Sequence, residues 1–424
     1  LAHTVFRLPP RIEIIATGDE LLDGSIADTN TQRLAQFLAP CGLRPHRTTV
    51  VPDDKQVLSQ VMAEAALRSD IILVSGGLGP TTDDLTLEVA AQTFGARLVP
   101  SAAAKKNILQ RLKKMKRKVV NPSQWKQALI PEGAHVLLNE EGTAPGIKWN
   151  VGDRTFFFLP GVPRELIHLW QKHLAAYFLK IAPPQGLYLV SLRFMGVPES
   201  ELNEWMKSQK IPAGVQVGYR THLPENHIKF HVRAASALAA SRQVASLIKK
   251  AQRDYGKKCL GTSGQSLEAQ VIEVFSKKKA TLAVAESCTG GQIAAALTSV
   301  SGASKVFLQG WITYSNESKV RELGVNPKTL EKFGAVSEQT AREMAAGALV
   351  HSGSSVAVAV TGIAGPSGGT PQKPVGTIWL AVALQKKKRI EVKTQLLQLP
   401  YNRELNQKFT EAKALAWSLE QLSR

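Results

Sequence analysis

Cysteine is scarce in this chain: among 424 residues there are three, Cys41, Cys259 and Cys288. Three scattered thiols exclude a disulfide framework, and without paired Cys or His spacing they exclude a structural zinc site. A reducing cytoplasm is the location they suggest. Long apolar runs are also missing. No stretch approaches the roughly 18 residues a spanning helix needs. The opening LAHTVFRLPPRIEIIATGDE has no sustained apolar core before its prolines and no small-residue cleavage signature. The sequence therefore predicts an unanchored protein with no membrane partner, and an initial Leu1 suggests a trimmed amino terminus. Acidic residues are outnumbered, 34 against 53 Lys and Arg, which leaves a net charge of +19. The excess gathers in residues 105–118, 277–279 and 386–389, yet no aromatic interleaves these runs and no nucleic-acid module is recognisable. A solvated basic surface accounts for them, and a phosphate-rich small ligand would profit from the same field.

What is present is ordinary globular texture, 44% hydrophobic and 21% charged, in a chain long enough for two or three domains. Residues 11–17 (RIEIIAT), 71–75 (IILVS) and 155–159 (TFFFL) are apolar runs, each followed by a Gly-, Asp- or Pro-rich turn. Between them TNTQRLAQFLAPCG repeats Leu34, Phe37 and Leu38 at helical spacing. Such alternation predicts βαβ units and a parallel sheet, with ligands at the carboxyl ends of the strands. Over residues 171–258 the texture changes to antiparallel-like strands, LYLVSLRFMGV, VQVGYRTHLP and HIKFHVRAA, followed by RQVASLIKKAQRDYG as one amphipathic helix. Beyond about 262 the βα alternation returns.

Three loops in the last domain carry chemistry. ESCTGG holds Glu286, Ser287, Cys288, Thr289, Gly290 and Gly291 where a strand meets a helix. Backbone amides and the positive end of that helix would receive an oxyanion there, and either Ser287 or Cys288 is a candidate nucleophile. In WITYSNESKV, Ser315 is a good N-cap, Lys319 lies about one turn into the helix and Tyr314 sits at the strand end. A poorly solvated lysine loses proton affinity and can serve a serine as base. VTGIAGPSGGTPQKPVG, with Thr361, Gly362 and Gly365, is an irregular loop suited to a phosphate or ribose.

AESCTGG, YSNESK, GAVSEQTA, AVAVTGIAGPSGGT and KPVGTIWLA resemble the carboxyl-terminal domain of the CinA family, the PncC-type nicotinamide mononucleotide deamidases. The resemblance implies an amidase domain over residues 259–424 that needs no cofactor. It implies Ser287 as nucleophile, Lys319 as base and Tyr314 as helper, with Glu286, Cys288, Thr289, Gly290, Gly291, Asn316, Thr361, Gly362, Gly365 and Arg403 at the substrate. The products would be nicotinic acid mononucleotide and ammonia. Where the family tends to carry a second arginine four residues after Arg403, this chain has Gln407.

In the first domain, IIATGDELLDGSIADTN and VSGGLGPTTDDLT again follow strands and pair glycine loops with carboxylates. Phosphates on the amides of Gly76, Gly77 and Gly79, bridged by a divalent ion to nearby acids, would suit a diphosphate. With NEEGTAPG and LPGVPREL these segments resemble the amino-terminal CinA domain, which is related to the MoaB, MogA and MoeA molybdopterin-binding fold. The resemblance implies a three-layer α/β domain over residues 1–170, metal-dependent ADP-ribose pyrophosphatase activity, and a homodimer. Asp19, Glu20, Asp83 and Asp84 would hold the divalent metal. Gly76, Gly77, Gly79, Thr81, Asn30, Thr86 and Gly161 would hold the ligand. Gln124 stands where the family usually has asparagine. Two other readings stay open: a nucleotide- or molybdopterin-like binding protein without amino-terminal turnover, and an accessory protein of DNA uptake or recombination.

Overall fold

The amino-terminal apolar runs form strands because each of their two faces has a core to enter. Along them, Ile12, Ile14, Ile71, Leu73, Phe157 and Leu159 enter one cluster. Their alternate neighbours Ile15, Ile72, Val74, Phe156 and Phe158 enter another, the period of two that a strand buried on both faces requires. Helices Thr29–Leu38 and Pro163–Leu169 cover the first face. Lys55–Arg68 and Thr86–Thr93 cover the second. The computed structural model describes residues 9–117, 120–262, 264–386 and 389–422. The expectation of a trimmed amino terminus, which falls on residues 1–8, and parts of the basic runs 105–118 and 386–389 lie outside the described residues.

The first sheet has six strands in the order Pro45–Val51, Ile12–Thr17, Ile71–Ser75, Arg154–Leu159, Gly146–Val151, His135–Leu137. The first four are mutually parallel and the last two antiparallel, so the sheet is mixed where the alternation predicts a parallel one. The cause is local: Val151 pairs with Arg154, and a two-residue connection can join only antiparallel neighbours. Leu174 and Phe178 belong to the same core as Leu166, so this core continues past residue 170.

The carboxyl-terminal sheet runs Phe307–Ile312, Leu282–Glu286, Val356–Gly362, Thr377–Lys386, Arg389–Gln398. Its first three strands are parallel and its last two antiparallel. Large and small residues alternate: Leu282, Val284, Val356, Val358 and Val360 pack on one side. Ala283, Ala285, Ala357 and Ala359 face helix Glu338–Ser352 on the other. A third sheet, Val215–His222, Glu225–Ala234, Gly186–Met195, Cys259–Gly261, carries the strands expected over 171–258. These strands are shared between two compact units. One runs to Val190 with Lys210–Val217 and Phe230–Ser246, and the other takes Ser191–Gln209, Gly218–Lys229 and the chain from Leu247.

Two expected helices differ. The single helix over 242–256 is instead a pair, Ala237–Gln243 and Ala245–Tyr255, because Val244 leaves helical geometry and turns fully into the interior. The basic helix over 105–118 begins at Ala102 behind the Ser101 cap and ends at Lys114, with Ile108 and Leu112 buried. Among the described residues no helix is long and apolar enough to cross a membrane.

Candidate active sites

Strand Leu282–Glu286 stops where Gly290 and Gly291 take positive φ, 60° and 99°, and helix Gln292–Thr298 departs. The Ser287 N–H donates to the Val360 carbonyl at 3.0 Å, which pins the turn to the neighbouring strand. Glu286 is fully buried, and its carboxylate accepts from the amides of Gly291, Ile293 and Ala294 at 3.0, 3.2 and 2.9 Å. Glu286, expected among the substrate contacts, is the anionic cap of the next helix, with both its oxygens accepting from first-turn amides.

Helix Asn316–Leu323 starts at Ser315, whose hydroxyl accepts from the Ser318 N–H at 3.1 Å. One turn on, Lys319 is only 1% exposed. Its Nζ donates to Ser287 Oγ at 3.2 Å, to the Thr313 carbonyl at 2.7 Å and to the Tyr314 carbonyl at 3.4 Å. Burial pulls the lysine pKa below its usual range. With one proton lost, the two carbonyls still hold two N–H groups and the lone pair faces the serine hydroxyl. Cys288 is closed off beside it: burial pushes its thiol up to about 12, so at neutral pH it is a thiol and not a thiolate. Among the described residues no backbone carbonyl accepts from the Thr289 N–H. The Thr289 hydroxyl is likewise buried without a partner.

Tyr314 stands apart from this pair. Its side chain is 62% exposed, and its hydroxyl accepts from Arg403 Nη2 at 3.0 Å. Of Tyr314, the backbone carbonyl and not the phenol touches Lys319. Arg403 Nη1 also donates to the Gly365 carbonyl at 2.9 Å and borders a depression of about 520 Å³ with Pro366, Val375 and Tyr401. Ser287 does not line that depression. The Thr361 hydroxyl is buried and donates to the Ala335 carbonyl at 2.7 Å. Gly362 follows at the end of the same strand, and Asn316 is exposed at the first residue of its helix. Thr313 was not singled out in the sequence; its role lies in a backbone carbonyl, which carries no side-chain signal.

In the amino-terminal unit the strand-end loops enclose a cavity of about 560 Å³. Asn30 laces it together, its amide donating to Ser75 Oγ at 3.1 Å and to the Gly161 carbonyl at 2.7 Å. Gly76 and Gly77 have positive φ. A Cβ at Gly77 would stand 2.1 Å from Thr86 Oγ1, whose hydroxyl donates to the Gly76 carbonyl at 3.0 Å. Gly76, Gly77, Gly79, Asn30 and Gly161 all line the cavity. Thr81 and Asp84 knot the loop between: Asp84 accepts from the amides of Gly79 and Thr81 at 2.6 and 2.8 Å and from the Thr81 hydroxyl.

The four expected metal carboxylates are not brought together. Glu20, Asp83 and Asp84 line the cavity, whereas Asp19 does not and accepts from the Asp53 N–H at 3.3 Å. Among the described residues no group of three His, Cys, Asp or Glu side chains stands ready to hold an ion. With Asp84 spent on its own loop, these residues do not fit a preformed metal centre. Two acids that the motifs did not single out do face the cavity, Asp53 and Glu165. Desolvation raises both carboxyl pKa values, and Thr17 donates to Asp53 at 2.7 Å while Asn139 donates to Glu165 at 2.6 Å. Gln124 is a local cap: its side chain accepts from the Asn121 N–H at 3.0 Å, away from the cavity wall.

Residues 264–422 match the CinA C-terminal domain and residues 13–180 a probable molybdopterin binding domain. A CinA-like protein of Desulfosudis oleivorans is 40% identical over 375 residues, 88% of this chain and 90% of that protein. The chain belongs to the CinA family. A putative competence-damage inducible protein of Symbiobacterium thermophilum is also 40% identical, over 380 residues and 88% of each chain. Among solved structures, the competence/damage inducible protein CihA of Agrobacterium tumefaciens is 42% identical with a TM-score of 0.36, covering 37% of this chain and 94% of its own.

Proposed function

We propose that the carboxyl-terminal site of this CinA protein hydrolyses the carboxamide of nicotinamide mononucleotide. The observation that carries the reading is a buried lysine of lowered pKa hydrogen-bonded to a serine, at a turn where among the described residues the Thr289 N–H has no backbone acceptor. Lys319 takes the Ser287 proton as Oγ attacks the carboxamide carbon, and the backbone amides receive the oxyanion. Lys319 then returns that proton to the nitrogen, and ammonia leaves an acyl-serine. Water, deprotonated by Lys319, releases nicotinic acid mononucleotide and restores Ser287. Arg403, which holds Tyr314 and Gly365, is the anchor for the ligand's phosphate. Purified protein given nicotinamide mononucleotide should release ammonia and nicotinic acid mononucleotide, and Ser287→Ala and Lys319→Ala should not. Ammonia release that survives both substitutions sinks this assignment.

The amino-terminal cavity supports a diphosphate ligand such as ADP-ribose, on the amides of Gly76, Gly77 and Gly79. A divalent ion would arrive with the diphosphate, since one or two carboxylates plus phosphate oxygens suffice for Mg²⁺. A second reading is a nucleotide-binding domain without turnover, since Asp84 is engaged by the Gly79 and Thr81 amides of its own loop. Chelator-sensitive cleavage of ADP-ribose supports the first, and binding without cleavage the second. A cytoplasmic homodimer completes the proposal; light scattering tests the stoichiometry.

A further inference from the structure

Helix Arg403–Leu422 reaches the nucleophile turn through a residue that the amidase chemistry above does not use. Gln407 lies one turn after Arg403, on the same helical face. Its Nε2 donates to the Cys288 carbonyl at 2.7 Å. Its Oε1 accepts from Gln292 Nε2 at 3.3 Å, and Gln292 is the first residue of the helix that leaves the turn. Both ends of the Gln407 amide are therefore engaged, one on the turn and one on its exit. Because each end has a chemically distinct partner, the carbonyl of Cys288 fixes which end is nitrogen.

The Cys288 carbonyl and the Thr289 N–H belong to one planar peptide unit and point in opposite directions. Whatever holds the carbonyl also holds the N–H. Among the described residues the Thr289 N–H has no backbone acceptor, two positions from Ser287 along a turn in which Val360 holds the Ser287 N–H, the Ser287 carbonyl holds Gly290 and Glu286 holds Gly291.

We propose that Gln407 is a positioning residue: by holding the Cys288 carbonyl it orients the Cys288–Thr289 peptide so that the Thr289 N–H receives the oxyanion formed when Ser287 attacks. The proposal rests on the Ser287 amidase reading. It assigns Gln407 no contact with substrate and no proton to carry. Its effect falls on the step in which charge develops, and so on kcat more than on KM.

The test uses Gln407→Leu, which removes both polar ends, and Gln407→Glu, which keeps an acceptor for Gln292 but has no N–H for the Cys288 carbonyl. Loss of an oxyanion donor costs about 10²- to 10³-fold in kcat, and a misaimed one should cost about 10- to 100-fold. Both variants should show that fall with KM changed less than about threefold and the pH midpoint of the reaction unmoved. A fluorophosphonate probe, whose P=O oxygen takes up charge as Ser287 attacks phosphorus and fluoride leaves, should label both variants more slowly by a similar factor. Wild-type kcat and wild-type labelling rates in Gln407→Glu overturn the proposal, as does a loss confined to KM. Should wild-type protein accept the probe at Ser287 but leave nicotinamide mononucleotide intact, the substrate reading fails while the labelling rates still decide the role of Gln407. A wild-type serine inert to both reagents overturns both.

Discussion

A serine and a cysteine side by side are distinguished by what surrounds them, and intrinsic nucleophilicity favours the one that the surroundings disable. Cys288 is buried with its thiol pKa pushed up to about 12, whereas Ser287 has a lysine amine 3.2 Å from its hydroxyl. Ser287→Ala should therefore abolish deamidation, while Cys288→Ala should keep activity within about tenfold and lose only modest stability from the small void it leaves. Activity measured alongside a thermal melt separates the two outcomes. Lys319 must be neutral to act, so the rate should rise with pH as it loses its proton. Because burial lowers that pKa, the plateau should arrive below the ordinary lysine value of about 10.4. Lys319→Arg, protonated at all accessible pH, should be inactive across the whole profile. The Ser–Lys pairing is legible through the resemblance of the ESCTGG and YSNESK motifs, while the Ser315 cap places Lys319 one turn into its helix without aiming it at Ser287. The orientation of Tyr314 is not, since a strand-end side chain can turn either way and here the Arg403 contact decides.

At the scale of elements, the strands with both faces buried were readable as apolar runs, and the βα order followed. Arg389–Gln398 was not: its half-exposed, charge-bearing sequence belongs to a sheet edge and lacks the apolar signature of the interior. Glu286 illustrates a different limit, because three amides converge on one carboxylate only after Gly290 and Gly291 adopt positive φ. On helix Arg403–Leu422 the sequence hides a titrating group. Burial, and then the charges of Glu268 and Glu286, push the Glu411 carboxyl up to about 7, with Lys408 only partly opposing them. Its folded pKa lies above the ordinary 4.5, so the stability it contributes is full below that value and is lost as pH rises through about 7. Glu411→Gln cannot ionise. Its melting temperature should exceed wild type at pH 8, and that advantage should shrink toward pH 5; parallel melts across this range check the sign.

For the whole molecule, the +19 charge is a field rather than a fold determinant, and it draws phosphate-bearing ligands without specifying them. Specificity has to come from two separately built sites, each assembled within its own unit around its own core. The strand-and-loop order of both was legible, but the amide contacts of Asp19 and Asp84 were not, because acids in a loop serve backbone amides as readily as ions. The separation predicts a one-sided defect. Gly77 has no room for a Cβ, which would meet Thr86 Oγ1 at 2.1 Å, and its φ of +64° is strained for any L side chain. Gly77→Ala should push Thr86 off the Gly76 carbonyl and spoil the amide cradle, weakening ADP-ribose binding about tenfold or more. Among the described residues Ser287 and Lys319 share no partner with that loop, so deamidation should stay within about twofold of wild type. Calorimetric titration with ADP-ribose, paired with the ammonia assay on the same preparation, reads both numbers. A parallel fall in the two would mean that the sites are coupled through the protein and are not independently built.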